Sequence, residues 1–347
     1  MAAVKPITII GGGLAGLALG IGLRQQGIHT TLYEAGGYPR HRVCGEFISG
    51  CGQQSLAKLG LEAMLANAGA VPARTAAFFS ATRTSPVRLL PAPALCLSRW
   101  RLDGLLAEEF RRLGGDLRAG QRFDPGNAGE GIVRATGRRL PMDAPWPRWF
   151  GLKIHARNVA LQADLEMHVS AAGYVGLCRI EKGAVNVCGL FRRVPGDKKP
   201  AAEIRQLLGG SPGSLLHQRL AGAEFDEKSF CAVAGLTLQP LRAGAHPEIC
   251  LGDAITMIPP VTGNGMSMAF ESAELAVAPL VSWSREERTW AEVRCIIAAR
   301  CDERFARRLA WARWLQRLML TGSLQNWLVR FAAGNEWVWR MAFEKTR

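Results

Sequence analysis

The order of apolar and polar residues predicts a strand, a helix and a second strand at the start of the chain. The apolar run Ile7–Ile10 has the length of a buried strand, and the small and apolar residues that follow from 14 to 23 predict a closely packed helix ending near Gly27. Residues Thr30–Glu34 predict the second strand. This order of elements is typical of a parallel sheet with helices on its faces.

The rest of the chain contains both periodicities. Helical spacing recurs over residues 53–68, 102–113, 200–220, 266–281 and 285–347. Strand-like segments follow one another at 75–90, 116–123, 131–135, 151–155, 159–169, 173–181 and 184–192. The last four predict an antiparallel sheet with one covered face, and residues Glu181–Gly183 predict a hairpin turn within it.

The connection between the first strand and the first helix carries the pattern G-x-G-x-x-G. Gly11 permits a tight turn, Gly13 lets a pyrophosphate approach the backbone, and Gly16 lets helix and strand pack closely. Phosphates bind there to unpaired N–H groups at the positive end of the helix dipole. Glu34 lies about 20 residues beyond the turn, where an acid accepts hydrogen bonds from a ribose. The pattern predicts a dinucleotide site and leaves NAD and FAD both open.

Length and hydropathy define the broad class of protein. The 347 residues are too many for one simple core and predict two lobes. A hydrophobic content of 48% is typical of a globular protein, and no apolar run reaches the ~20 residues that cross a bilayer. Residues 7–23 belong to the nucleotide motif and lack a basic leader, so we expect a cytoplasmic protein.

The cysteines, the histidines and the net charge argue against several other classes of protein. The nine cysteines form no C-x-x-C pair and the histidines lack ligand spacing, so we expect neither a disulfide framework nor a metal site. The net charge of +14 comes mostly from arginines spread along the chain. No recognition motif accompanies it, so we expect no nucleic-acid partner. A generally arginine-rich composition, an anionic cofactor or substrate, and a cationic C-terminal segment each account for the charge.

A second glycine-bearing turn, at residues 263–265, precedes the helix predicted at 266–281. Together with residues 249–254, which end in Gly-Asp-Ala, it resembles the glycine–aspartate motif of the p-hydroxybenzoate-hydroxylase-type flavoproteins. The resemblance implies that FAD is the dinucleotide and that Asp253 bonds its ribitol. It also implies that the backbone from Gly263 through Gly265 to Met266 faces the isoalloxazine. Arg99 opens a helix that matches the superfamily's arginine-containing helix start, and it is implied as a flavin contact.

Residues 42–45, Arg-Val-Cys-Gly, resemble the loop of the geranylgeranyl-reductase-like flavoproteins more closely. Cys44 is implied near the reactive face of the flavin, where a thiol donates a proton or shapes the pocket; a small packing residue is the alternative. Arg42 is expected to contact the cofactor. Thr136 replaces the aspartate of the superfamily's middle motif, which weakens the likeness to standard hydroxylases. The halogenase Trp-x-Trp-x-Ile-Pro signature is absent.

The resemblance implies an α/β fold: a Rossmann-like FAD-binding domain of the glutathione-reductase type, an inserted antiparallel β-sheet substrate domain and a C-terminal helical cap. We predict the FAD-binding domain over 1–74, 92–140 and 241–281, the substrate domain over 75–91 and 141–240, and the cap over 282–347. Lys153 and His155 alternate on one strand face of the substrate domain, where this fold roofs its pocket. They are candidate catalytic residues, and an exposed sheet face explains them equally well.

The C-terminal stretch is rich in arginine and tryptophan. The tryptophans are Trp311, Trp314, Trp327, Trp337 and Trp339. Basic amphipathic helices with tryptophan lie in membrane interfaces, whereas this superfamily often has a helical cap over the substrate domain. We favour the cap slightly and retain peripheral membrane contact as an alternative.

Together these features predict an FAD-dependent oxidoreductase that NAD(P)H reduces. The loop with Cys44 and the missing middle aspartate favour hydride transfer to a carbon–carbon double bond of a small apolar substrate, isoprenoid- or polyketide-like. The alternatives are a monooxygenase that hydroxylates or epoxidises such a substrate with O₂, and a flavin-binding module without turnover.

Overall fold

The structure is a computed structural model that describes residues 4–124, 126, 129–138, 148–193, 201–236, 238–319, 335–337 and 339. Its strands are β1 (Ile7–Ile10), β2 (Thr30–Glu34), β3 (Phe47–Ile48), β4 (Val71–Phe79), β5 (Arg88–Cys96), β6 (Asp116–Ala119), β7 (Ile132–Arg134), β8 (Arg148–Arg157), β9 (Leu165–Ser170), β10 (Gly173–Arg179), β11 (Val185–Arg193), β12 (Glu224–Leu236) and β13 (Ile249–Cys250). Its helices are α1 (Leu14–Gln25), α2 (Gly50–Lys58), α3 (Glu62–Asn67), α4 (Arg99–Arg112), α5 (Ala201–Gln206), α6 (Leu215–Leu220), α7 (Gly265–Ser284) and α8 (Trp290–Met319).

The nucleotide lobe is built on a parallel sheet with the strand order β13-β7-β1-β2-β6. The predicted strand–helix–strand unit at its centre is confirmed. Ile7, Leu17 and Ile21 have no exposed surface, because α1 packs on β1 with α4 and α7 beside it. Burial of these apolar side chains stabilises the sheet and fixes the turn between β1 and α1.

The second sheet is larger and has the order β12-β8-β11-β10-β9-β4-β5-β3. Its neighbouring strands are antiparallel except for β4 and β9, which pair in parallel, so the sheet is mixed. The predicted hairpin is confirmed, because Glu181–Gly183 connects β10 to β11. Strands β4 and β5 extend beyond the predicted segment 75–91 at both ends.

The two faces of the large sheet have different neighbours, since successive side chains of a strand point to opposite faces. On one face, Val175 and Phe191 form a core with Leu216 of α6. The other face carries Lys153 with Cys188 directly beside it on β11, and Tyr174 on β10. We call it the inner face, because the loop before β3 and residues from the 259–264 turn pack against it.

Three predicted elements differ in the structure. The helix predicted at 53–68 is two helices, α2 and α3, because Gly60 adopts φ +69° and ends the first. Residues 159–163 form no strand, and β9 begins only at Leu165. The residue before it, Asp164, accepts hydrogen bonds from the backbone N–H groups of Arg74 and Thr75. The helix predicted at 102–113 already begins at Arg99, because Ser98 caps it.

The C-terminal helical prediction is confirmed over α8, which packs against α7. Trp327 and most of residues 320–347 lie outside the described residues, as do residues 141–147 of the predicted crossover. Within the described ranges, no helix is both long enough and apolar enough to span a bilayer.

Candidate functional site

The turn between β1 and α1 has the geometry that its glycines predict. Gly11 adopts φ +106°, and a Cβ built on it would lie 2.4 Å from the carbonyl oxygen of Ala135. A Cβ on Gly16 would lie 2.0 Å from the carbonyl oxygen of Gly11, whereas one on Gly13 meets nothing within 4 Å. No side chain caps α1. The first N–H groups of α1 therefore border the open side of the turn, as pyrophosphate binding requires.

Glu34 lies beside this turn at the end of β2. Its Oε2 accepts a hydrogen bond from the N–H of Gly12 at 2.8 Å, and its Oε1 accepts one from Gly36 at 2.9 Å. The Nη2 of Arg40 lies 2.7 Å from Oε1, and the Nη2 of Arg42 lies 3.6 Å from Oε2. Carboxylate oxygens have further lone pairs, so the fixed carboxylate retains acceptor capacity for a ribose.

Arg42 and Arg99 converge on one buried carboxylate. Asp103 has no exposed surface; its Oδ1 accepts from Arg99 Nε at 2.7 Å, and its Oδ2 accepts from Arg42 Nε at 3.2 Å. Burial lowers the pKa of Arg99, but the Asp103 carboxylate outweighs burial and leaves that pKa raised. Both guanidinium groups stay charged beside the glycine turn. Their predicted contact with the flavin stays a prediction.

The Gly-Asp-Ala segment, residues 252–254, lies beside the turn between β1 and α1. A Cβ on Gly252 would come within 3.1 Å of the Cβ of Ala15 in α1, so residues 252–254 approach the start of that helix. The Asp253 side chain is exposed to solvent, yet burial raises its pKa, while the charges of Arg138 and Arg99 lower it. Asp253 is therefore open to a ligand beside the start of α1.

The turn at residues 259–264 leads into α7. Gly263 adopts φ +64°, and a Cβ on it would lie 1.9 Å from the ring of Phe47. Asn264 is buried and accepts a hydrogen bond from Ser49 Oγ at 2.9 Å. No side chain caps α7, which begins at Gly265. A second uncapped helix N-terminus is thus held in place by β3 and the start of α2, with Met266 buried in its first turn.

Cys44 occupies the loop that leads to β3. Its carbonyl oxygen accepts a hydrogen bond from Asn186 Nδ2 on β11 at 2.9 Å, which fastens the loop to the inner face. Burial raises the pKa of its thiol, and the charge and hydrogen bond of Arg99 only partly oppose this. The side chain therefore stays a protonated thiol at neutral pH.

Two residues further on, Glu46 forms a buried charge cluster that the sequence reasoning missed. Its Oε2 lies 2.7 Å from His155 Nε2, its Oε1 lies 3.2 Å from Lys153 Nζ, and Oε1 accepts the Arg99 N–H at 2.9 Å. Burial raises the pKa of Glu46, but His155 and Lys153 outweigh it and leave the pKa lowered. The one signal in the sequence is a charged residue directly after Cys44-Gly45, in a segment that enters an apolar strand.

Lys153 and His155 point to the inner face, as predicted, and both hold Glu46. Lys153 has no exposed surface, and its Nζ also lies 3.1 Å from His41 Nδ1. His41 stacks on Trp100 with ring centroids 4.6 Å apart. In this structure the two predicted catalytic residues therefore fix the loop that carries Cys44. A catalytic role for them stays a prediction.

The residues present fit FAD. Two uncapped helix N-termini, an open glycine turn and the carboxyl groups of Glu34 and Asp253 come together in one region. When bound, FAD supplies redox chemistry that protein side chains lack. Glu34 would hold the ribose, Gly13 and α1 the pyrophosphate, and Asp253 the ribitol. No cluster of His, Cys, Asp and Glu suited to a metal ion occurs in the described part of the chain.

Comparisons with known proteins agree with this fit. Residues 5–141 match a family model described as FAD binding domain. No curated protein sequence matches the chain. This part of the chain is therefore an FAD-binding domain.

Three solved structures show how far the fold extends. The p-nitrophenol 4-monooxygenase PnpA from Pseudomonas putida DLL-E4 is 15% identical with a TM-score of 0.76, and the match covers 100% of this chain and 99% of that chain. PqsL, a probable FAD-dependent monooxygenase from Pseudomonas aeruginosa, is 17% identical (TM-score 0.67; 98% and 99% covered). The flavin-dependent brominase Bmp2 is 16% identical (TM-score 0.69; 95% and 93% covered). At these identities the likeness is one of fold, and the predicted closeness to geranylgeranyl reductases stays a prediction.

Proposed function

We propose that this protein is an FAD-dependent monooxygenase that NAD(P)H reduces and that inserts oxygen from O₂ into a small apolar substrate. The observation that carries the proposal is the pair of uncapped helix N-termini, of α1 and α7, which both approach Gly252 beside Asp253 and would border the cleft for FAD. The similar folds of PnpA and PqsL, which are named as monooxygenases, support this reaction class over the alternatives.

The chain's own residues would bind, orient and exclude water. Glu34 and the N–H groups of α1 hold the dinucleotide, and the start of α7 presents N–H groups to the far end of the cleft. The cluster around Glu46 fixes the loop beside the cleft, so that Cys44 keeps one position. An apolar substrate matches the apolar side chains that dominate the inner face near Tyr174, among them Leu190 and Val261.

Hydride transfer to a carbon–carbon double bond is the second candidate, and one observation favours it. Cys44 carries a thiol that burial keeps protonated beside Arg99. Such a thiol would supply the proton that completes reduction of a double bond.

Peripheral membrane contact, through which an apolar substrate would arrive, also stays a proposal; the exposed side chains of Trp314 and Trp337 support it.

Anaerobic reduction followed by exposure to oxygen separates these functions. A monooxygenase reduced by NADPH or NADH under nitrogen gives no product until O₂ is admitted, and its product then gains one oxygen atom that derives from O₂. A double-bond reductase gives product under nitrogen, with two added hydrogen atoms. Flavin that neither nucleotide reduces would contradict both readings and leave a binding module.

A further inference from the structure

A cavity of about 620 Å³ lies on the outer face of the large sheet, which is the face opposite the inner one. Val175 of β10 and Phe191 of β11 line it, and both belong to the apolar core that this face forms with Leu216 of α6. Glu203 and Gln206 of α5 line it as well. We call this feature the outer-face cavity. Its volume is in the range of sites that hold small molecules.

His168 lines the outer-face cavity and has one ring nitrogen without a partner. It lies opposite Val175 in the sheet and is only 4% exposed. Its Nε2 lies 2.9 Å from Oε2 of Glu166, and its ring stacks on Phe79 with centroids 4.4 Å apart. Its Nδ1 is buried, and no atom of the described residues hydrogen-bonds to it. An unpaired buried nitrogen destabilises a folded protein, so Nδ1 calls for a partner that a ligand supplies.

Glu166 decides what kind of partner Nδ1 takes. Burial raises the pKa of Glu166, but the hydrogen bonds from His168 and from the N–H of Gln162 outweigh it, so the carboxyl is ionised. Burial lowers the pKa of His168 and outweighs the effect of Glu166, so the imidazole is neutral. An ionised carboxylate only accepts hydrogen bonds, so the ring hydrogen lies on Nε2 and Nδ1 carries a lone pair. The partner of Nδ1 is therefore a hydrogen-bond donor.

The charges around His168 disfavour an ionic ligand. Arg219 Nε lies 3.2 Å from Oε2 of Glu166, so the carboxylate already has a cation. The charge of Arg219 helps to lower the pKa of His168, and by the same repulsion it disfavours a cationic group at Nδ1. The exposed carboxylate of Glu203 disfavours an anion. A neutral donor on an apolar body matches the apolar side chains of Val175 and its neighbours.

We propose that the outer-face cavity binds a small, neutral, largely apolar molecule whose N–H or O–H group donates a hydrogen bond to His168 Nδ1. This ligand is separate from the substrate of the proposed reaction, because the strands of the large sheet lie between the cavity and the inner face that carries Lys153. None of the residues assigned to FAD lines the cavity. The inference therefore goes beyond the proposed function and holds whichever reaction the flavin carries out.

Nitrogen NMR of the FAD-loaded, oxidised protein with isotope-labelled histidine tests the proposal. Ring nitrogens with and without a hydrogen differ widely in chemical shift, so the spectrum reports both the tautomer of His168 and a new hydrogen bond. Indole and benzofuran are matched probes, because an N–H group in the first is an oxygen atom in the second. We expect indole to move the Nδ1 signal upfield and benzofuran to leave it in place. His168→Gln, which keeps an amide N–H for Glu166, identifies this signal among the six histidines.

The affinities locate the binding site. Titration of the Nδ1 signal with indole gives the affinity at this cavity alone, and competition with benzofuran should show about tenfold weaker binding, the effect of one hydrogen bond. Ala172→Trp enlarges an exposed side chain of the cavity lining and should weaken indole binding at least about tenfold. Ala66→Trp, the same change at an exposed position of α3, is the control and should keep the wild-type affinity.

The wild-type spectra decide the outcome even if Ala172→Trp fails to fold. A hydrogen on Nδ1 in the free protein, no shift with indole up to its solubility, or an equal shift with benzofuran would overturn the proposal. A folded Ala172→Trp variant with unchanged indole affinity would also overturn it. Binding is measured without reductant, so failure of the redox assays above would leave this result distinct.

Discussion

Lys153 and Glu46 form an ion pair in which neither side chain has any exposed surface, with Nζ 3.2 Å from Oε1. The pair joins β8 of the large sheet to the loop that lies between the two sheets. Glu46 also accepts the N–H at the start of α4, so one carboxylate fixes three parts of the chain. Glu46 adopts φ +57°, a left-handed conformation that a non-glycine residue keeps only when its surroundings hold it.

Removing this carboxylate should destabilise the protein strongly. Glu46→Leu leaves the ammonium group of Lys153 buried without its partner, and we expect the free energy of unfolding in urea to fall by about 3–5 kcal/mol. Glu274→Leu is the control, because it breaks the exposed pair with Lys58 and should cost ~1 kcal/mol or less. Equal losses of unfolding free energy in the two variants would contradict the inference that Glu46 stabilises the fold by pairing with the buried Lys153.

Stability should fall as the pH drops, and His41 should contribute to the loss. Burial, with the charges of Lys153 and His155, lowers the pKa of His41 from its ordinary 6.5 to about 4. Between these values the unfolded chain binds a proton that the folded protein does not, so stability rises with pH in this window. Glu46 contributes at lower pH than His41. Its pKa is lowered in the folded protein, so the stability that its ionised carboxylate provides is lost only as the pH falls through that lowered pKa.

We therefore expect His41→Gln to lose less stability than the wild type between about pH 7 and about pH 5. Urea unfolding of both proteins at the two pH values measures the difference. His217→Gln, which changes a histidine elsewhere in the chain, should follow the wild type. If the free energy of unfolding falls equally in His41→Gln and in the wild type, His41 does not titrate in this pH window.

Two glycines of one turn should respond differently to substitution. Gly16→Val places carbon atoms against the carbonyl of Gly11, where even a Cβ would come within 2.0 Å, so we expect loss of folding. Gly13→Val points into open space and should keep the wild-type stability within about 0.5 kcal/mol while losing bound FAD. Circular dichroism and the absorbance of bound flavin report the two effects. Full FAD binding by Gly13→Val would contradict the pyrophosphate site.

The C-terminal helix α8 should depend on a buried ion pair with α7. Glu271 has no exposed surface; Arg308 contacts both of its carboxylate oxygens, and Arg304 lies 3.0 Å from Oε2. Arg308→Met should lower the free energy of unfolding by about 2–4 kcal/mol, because a buried carboxylate keeps only one partner. Arg304→Met removes the half-exposed partner and should cost less. A larger loss of stability in Arg304→Met than in Arg308→Met would make Arg304 the main partner of Glu271.

The glycine turns could be predicted because their function is local. Gly11, Gly13 and Gly16 lie within six residues, so the pattern itself contains the geometry. Glu34 follows at a spacing set by one helix and one strand. The cluster around Glu46 could not be predicted in the same way, because Glu46 and His155 are 109 residues apart and meet only when the large sheet forms.

By itself, the sequence determined the parallel nucleotide sheet, its phosphate-binding turn and the presence of a second sheet, since periodicity and short motifs act over a few residues. The tertiary structure decided which face of the large sheet is inner and that Lys153 and His155 hold the loop that carries Cys44. The physical reason is that burial and pairing of charges depend on contacts between distant segments. A chain reveals such contacts only when its strands are in register.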